Sequence, residues 1–309
     1  KIRLHDTMHI VYNKEMDMDE YKIKAYGKIN LGLDVTGIRS DGYHEVRMIM
    51  QTVGLYDDLI ISRRQDDLIT MKSNLQYLPV DDNNLCIKAA RLMIREFALA
   101  QGYHIHLHKR IPVAAGMAGG STDAAAVMKA INKMEHLNVS LLQLMHLGLE
   151  LGADVPYCLM QGTALAEGIG EKLTPLPAMM KIPVVLAKPQ FSVSTSQVYH
   201  DLDELEELHH PDMDALLFDL RARDLKSLSA HMGNVLEEVT IPKHSYIGKL
   251  KQMMIKYGAS GAMMSGSGPT VFGLFESMED AKKCADKLKS KENMQKVYVT
   301  KIKNIGGKI

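Results

Sequence analysis

Pro112-Val113-Ala114-Ala115-Gly116-Met117-Ala118-Gly119-Gly120-Ser121-Thr122 is the stretch that decides the fold. It follows an alternating, strand-like run at His104–His108 and leads into a helical stripe of Ala124, Val127, Met128, Ile131 and Met134 that ends near Leu137. Glycine and alanine dominate because a backbone that wraps closely around a ligand tolerates few side chains and needs positive φ at some positions. Such a backbone turns its N–H groups inward, and the helix that follows adds its positive N-terminal end. Ser121 and Thr122 bring hydroxyls to the helix start, for hydrogen bonds or for a metal ion. We expect a polyphosphate here. The loop lacks the Lys of a Walker A motif. Its lone Gly116-x-x-Gly119 has neither a preceding Gly-x-Gly nor a ribose-binding acid about 20 residues on, which disfavours a dinucleotide-dependent oxidoreductase. Taken alone, a tight strand-to-helix turn with no ligand would also explain it.

The chain has 309 residues, enough for one large or two ordinary domains. Hydrophobic residues make up 46% and charged residues 24%, an ordinary globular balance. Basic and acidic residues cancel at 37 each, which leaves no electrostatic footprint for nucleic acid or an anionic membrane. No apolar run reaches the length of a bilayer span. Cys86, Cys158 and Cys284 lie far apart with no Cys-x-x-Cys pair, against structural zinc or a disulfide framework and in keeping with a reducing cytoplasm. The 22 methionines read as core filler. Residues 1–17 are polar and unlike the rest; they read as a leader, appended or native, with Met16 or Met18 as the natural start.

Tyr21–Val35 alternates as a strand, with Gly27 and Gly32 marking bends or close approaches. Val46–Tyr56 and Asp58–Ser62 read as two further strands around the turn chemistry of residues 39–42, and Asn83–Leu99 as an amphipathic helix. His104, His106 and His108 share one strand face, a line that suits solvent better than a metal. Ser140 caps a second helix over Leu141–Leu151. Four of the ten prolines fall between Lys172 and Pro189, which divides the chain into domains at 18–176 and 177–309. Strands near 184–187, 262–265, 270–276 and 296–301 alternate with helices in the second part. The acidic run Asp201–Glu207 reads as a solvated helix face. The class is α+β, with helices packed on two mostly antiparallel sheets.

Further segments carry chemistry. Ser265-Gly266-Ser267-Gly268-Pro269-Thr270 is a second glycine loop, either a hairpin turn or the opposite wall of a site. Leu151-Gly152-Ala153-Asp154-Val155-Pro156 places a carboxylate beside a helix end, where it could take a proton from a hydroxyl or simply hold a turn. Lys28 and Asn30 share a face of the first strand, and Lys28 could support charge on an oxygen or a phosphate. Tyr43-His44 offers a stacking ring and a directional hydrogen bond, or only a hairpin tip.

Together these segments, in this order and spacing, resemble the GHMP small-molecule kinases from about residue 20 to the last strand. The Ser40-Asp41-Gly42-Tyr43-His44-Glu45 segment is narrower and is similar to the members that phosphorylate a cytidine diphosphate-linked sugar alcohol in the non-mevalonate isoprenoid pathway. The resemblance implies a first domain like the second domain of ribosomal protein S5, a ferredoxin-like second domain, and an active site between them. It implies ATP phosphates in the loop from Pro112 to Thr122, Lys109 near the nucleoside end, and Mg²⁺ with ligands unknown. Asp154 would be the base for the 2-hydroxyl, assisted by Lys28. Asn30, Tyr43 and His44 would hold the cytidine diphosphate, with Tyr199 as a second aromatic against cytosine. Gly266, Ser267 and Gly268 would close the far wall. Met117 stands where Leu is more usual and Thr122 where Ser is common; both keep size or hydroxyl chemistry. The partners expected are ATP and a small acceptor, with no nucleic acid, membrane or obligatory protein. A non-nucleotide alcohol such as mevalonate or homoserine remains an alternative acceptor, and a nucleotide-binding protein without turnover an alternative class.

Overall fold

The computed structural model describes residues 18–292 and 294–305, so the expectations about the leader at 1–17 lie outside the described residues. β1 (Glu20–Ile38) and β2 (His44–Arg63) form one long antiparallel ribbon. The break expected in β2 at Asp57 does not occur. The Asp57 carboxylate accepts from the backbone N–H groups of Arg110 and Ile111 and from Lys109 Nζ, so a polar residue sits in mid-strand fully satisfied. β3 (Ile69–Ser73) lies at the edge beside β4 (Tyr103–His108), which pairs with β2, and α1 (Leu85–Phe97) connects them, capped by Asn84.

The glycine stretch then opens into α2 (Gly119–Met134), followed by α3 (Leu141–Gly148) behind a Ser140–Gln143 capping box and by α4 (Val155–Met160). β5 (Thr163–Glu167) and β6 (Lys172–Pro175) complete a six-stranded sheet ordered β3-β4-β2-β5-β6, with β1 on β2. Strands β3, β5 and β6 were not anticipated from the sequence. α1 and α2 pack through the small residues Ala89, Ala90, Ala124 and Ala125, all buried, which lets the helices approach closely over Leu59, Ile61, Ile105 and Leu107.

The second sheet starts with β7 (Pro183–Ala187). α5 (Thr195–Asp203), α6 (Met213–Ala222), α7 (Leu225–His231), α8 (Glu237–Lys243) and α9 (Tyr246–Lys256) precede the hairpin β8 (Gly261–Met264) and β9 (Val271–Leu274). α10 (Met278–Lys291) leads to β10 (Val297–Lys301). The antiparallel order β10-β7-β9-β8 is the ferredoxin-like arrangement, with five helices in its first crossover. The α+β class and the two-sheet organisation are as expected.

One hydrophobic cluster joins the two sheets: Ile29, Leu31, Ile49 and Val53 from the ribbon pack with Val184, Leu186, Phe272 and Leu274. Each such side chain contributes about 1.5–3 kcal/mol by burial, so the two walls of the cleft share one core. Among the described residues, no helix is long and apolar enough to cross a membrane.

Candidate active site

A cleft of about 990 Å³ lies where the two sheets meet, and residues 112–121 form one of its walls. Ala114, Gly116 and Ala118 have positive φ (50°, 70° and 54°), which curls the loop and leaves α2 with no side chain capping its first turn. The N–H groups of that turn are therefore open to a ligand. Gly116 cannot be larger: a Cβ there would come within 2.0 Å of the Ser265 carbonyl. The second glycine loop sits directly on the first, with Ser265 Oγ donating to the Gly116 carbonyl at 2.9 Å. Gly266 and Ser267 line the cleft, while Gly268 lies outside its lining and packs on Met264. Asn234, which nothing in the sequence singled out, donates to the carbonyls of Met264 and Gly266 and so holds this second loop in place.

Thr122 departs from expectation. Its hydroxyl donates to the Tyr26 carbonyl at 2.8 Å and its N–H bonds to the Ala118 carbonyl, so neither group is available to a ligand in the cleft. Ser121 lines the cleft, and its hydroxyl has no partner among the described residues. Lys109 also lines it, but its ammonium is committed: Nζ lies 2.6 Å from Asp57 Oδ2 and 2.7 Å from Asp123 Oδ2, all three side chains being buried. Burial alone would lower the Lys109 pKa, yet the two carboxylates hold it above its ordinary value. Burial pushes Asp123 well up, against the pull of Lys109. This cluster ties β2, the loop entry and α2 together under the glycine-loop wall.

On the adjoining wall, β1 bulges between Tyr26 and Lys28, and the Lys28 N–H bonds to the Met117 carbonyl. Lys28 Nζ donates to Asn30 Oδ1 at 2.8 Å. Asn30 is fully buried, with its amide on Met48 Sδ, so it positions Lys28 and has no surface to offer a substrate. Asp154 stands just before α4, where Pro156 occupies the first turn, and its carboxylate makes no capping bond. Among the described residues the carboxylate has no hydrogen-bond partner that holds the turn, and it lines the cleft. The Cys158 thiol, buried below, is raised by burial and by the Asp154 charge and lowered by Lys28, which marks all three as electrostatic neighbours.

The remaining side chains come from both halves of the chain. Tyr43, 60% exposed, stands at the mouth. Tyr199 packs against His44 with ring centroids 4.6 Å apart and planes at 38°, and its phenol is pushed up to about 12 by burial and by Asp154. His44 Nε2 lies 2.8 Å from Asp203 Oδ1. Asp203 belongs to the acidic run expected to be solvated; the signal that could have found it is its place four residues after Tyr199, on the same helix face. Asp201, in the same run, does pair outward with Lys243. His104 Nδ1 meets Thr70 Oγ1 at 2.8 Å, and the described residues contain no cluster of three metal-ligating side chains.

Residues 84–162 match the model of the GHMP kinases N terminal domain and 216–293 that of the GHMP kinases C terminal domain. A 4-diphosphocytidyl-2-C-methyl-D-erythritol kinase of Lachnospira eligens is 51% identical over 283 residues, covering 92% of this chain and 98% of that protein. The chain belongs to this family of GHMP kinases. The kinase of the same name from Clostridium perfringens is 50% identical over 284 residues, 92% of this chain and 98% of its own. The crystal structure of a 4-(cytidine 5'-diphospho)-2C-methyl-D-erythritol kinase superposes with a TM-score of 0.79 at 30% identity, covering 93% of this chain and all of that one (100%). A homoserine kinase from Cytophaga hutchinsonii shares the fold at a TM-score of 0.76 and 20% identity, over 99% of both chains. The chain is thus an ATP-dependent small-molecule kinase, with ATP as a substrate.

Proposed function

We propose that this kinase transfers the γ-phosphoryl of ATP to the 2-hydroxyl of 4-diphosphocytidyl-2-C-methyl-D-erythritol. The observation that carries the reading is the convergence on one cleft of the open helix terminus, an uncommitted carboxylate with a lysine near it, and an aromatic and histidine pair. The loop at 112–121 receives the triphosphate through backbone N–H groups and the α2 terminus. Because the transition state of phosphoryl transfer is loose, positioning and charge stabilisation carry most of the catalysis. Asp154 accepts the proton of the tertiary alcohol as its oxygen approaches phosphorus. Lys28, oriented by Asn30, stabilises the charge on the oxygen or the transferring group.

The donor set fits Mg²⁺ carried in by the nucleotide. Ser121 would offer its hydroxyl to the ion from the loop, and phosphate oxygens and waters would complete the ligand set. When bound, the ion neutralises charge on the phosphates. Tyr43 stacks on the cytosine, and His44 hydrogen-bonds its edge. The pair favours a nucleobase over a non-nucleotide alcohol, since mevalonate or homoserine has no ring to stack.

The test is phosphorus NMR of the product formed from Mg-ATP and this acceptor. A new monoester resonance coupled to the position of the tertiary alcohol is expected. Phosphorylation at another hydroxyl, or ATP hydrolysis alone, would overturn the reading.

A further inference from the structure

We propose that Asp203 sets the preference for cytosine over uracil, by holding His44 as the tautomer that carries its hydrogen on Nε2. The inference rests on the acceptor proposed above. A carboxylate can only accept, so the 2.8 Å contact between His44 Nε2 and Asp203 Oδ1 requires the hydrogen on Nε2. In the neutral ring this leaves Nδ1 with a lone pair. Nδ1 has no protein partner among the described residues, and the ring lines the cleft, so Nδ1 is the nitrogen left for a ligand.

One helix controls both properties of the ring. Tyr199 and Asp203 are four residues apart on α5; the first packs on the imidazole face and the second holds its Nε2 edge. The ring's orientation and its tautomer are thus fixed before any substrate arrives. An acceptor at Nδ1 matches the amino group at position 4 of cytosine, which donates. Uracil carries a carbonyl oxygen there, so two acceptors would face each other and neither would be satisfied. Sites built around a specific hydrogen bond reject the mismatched ligand strongly for this reason. His44 begins β2 in the first half of the chain and Asp203 ends α5 in the second, so the selector is assembled only in the folded, joined molecule.

The experiment has two readouts on the intact enzyme at pH 8.5, above the ordinary imidazole range. Nitrogen-15 NMR of histidine-labelled protein, with His44 assigned through His44→Gln, reports the tautomer. Steady-state kinetics compare the cytidine-linked acceptor with its uridine-linked counterpart. The expected wild-type spectrum is that of an Nε2–H ring. In Asp203→Ala, KM for the cytidine acceptor should rise about tenfold, as for a lost charge-assisted contact, with kcat and KM for ATP unchanged. The cytidine-to-uridine ratio of kcat/KM should fall by a similar factor. Asp203→Asn, which keeps an accepting oxygen, should restore most of that ratio. An Nδ1–H ring in the wild type, or an undiminished ratio in Asp203→Ala, would overturn the proposal while wild-type turnover leaves the functional reading standing. A wild-type enzyme inactive on both acceptors would overturn that reading and this inference with it.

Discussion

The two sides of the cleft are built on different principles. The side proposed for the phosphates is ten consecutive residues, 112–121, whose useful groups are backbone N–H groups, braced from below by the Lys109–Asp57–Asp123 cluster and from the side by Ser265. The acceptor side has no continuous segment. His44 meets Tyr199 and Asp203 across more than half the chain, and Tyr43 lines the same cleft beside it. A backbone cradle suits a ligand common to many enzymes, whereas side chains can be exchanged to recognise one acceptor. Lys28 and Asp154 stand between the two sides, where chemistry must join them.

If that division holds, removing the group between the two sides should have the largest effect on turnover. Asp154→Asn should lower kcat by roughly 10²–10⁴-fold with little change in the affinity for either substrate, measured by steady-state kinetics and calorimetric titration. Next comes the cradle itself. Gly116→Ala puts a Cβ into the Ser265 carbonyl at a φ of 70°, so it should raise KM for ATP by about ten- to a hundredfold and lower stability by about 1–3 kcal/mol. Tyr43→Ala tests the other side: KM for the acceptor should rise about tenfold and KM for ATP should stay put, since aromatic stacking is worth about 1–3 kcal/mol per base. Equal loss for both ligands would erase the distinction between the two sides.

The smallest effect on catalysis belongs to the far face of α2. Lys129 lies outside the cleft, beside Cys158, and burial lowers its pKa to about 8. A base with a depressed folded pKa penalises the native state when charged, so the penalty is complete below about pH 8 and fades as pH rises toward the unfolded value of 10.5. Lys129→Met should therefore raise stability by on the order of 1–3 kcal/mol at pH 7, with the gain shrinking toward pH 10.5 and kcat unchanged. Urea titrations at the two pH values check both the sign and the trend.

The contrast between the two sides also decides what could be read from the sequence. The cradle was legible because positive φ and close approach demand Gly and Ala at particular, contiguous positions; only the orientation of Thr122, set by the Tyr26 carbonyl, was hidden. Most of the first strand, the Ser140 cap and all four strands of the second sheet followed from alternation and one capping residue. Asp57 hid the continuity of β2, because its partners lie more than fifty residues away. Asn30 was expected at the substrate from the family resemblance; it is fully buried and accepts from Lys28, a placement that strand alternation could not give. Asn234 was invisible for the same reason, since it acts on a loop brought close only by the tertiary fold, whereas Asp203 left one trace, its helical spacing from Tyr199.

The central claim is that a general phosphate cradle is joined here to a pocket for one kind of acceptor. The most direct test is ATP consumption with Mg²⁺ and, in turn, 4-diphosphocytidyl-2-C-methyl-D-erythritol, mevalonate and homoserine. Turnover that depends on the cytidine-linked acceptor and is absent with the other two is the predicted result. Comparable turnover with either non-nucleotide alcohol, or ATP binding without acceptor-dependent turnover, would contradict it.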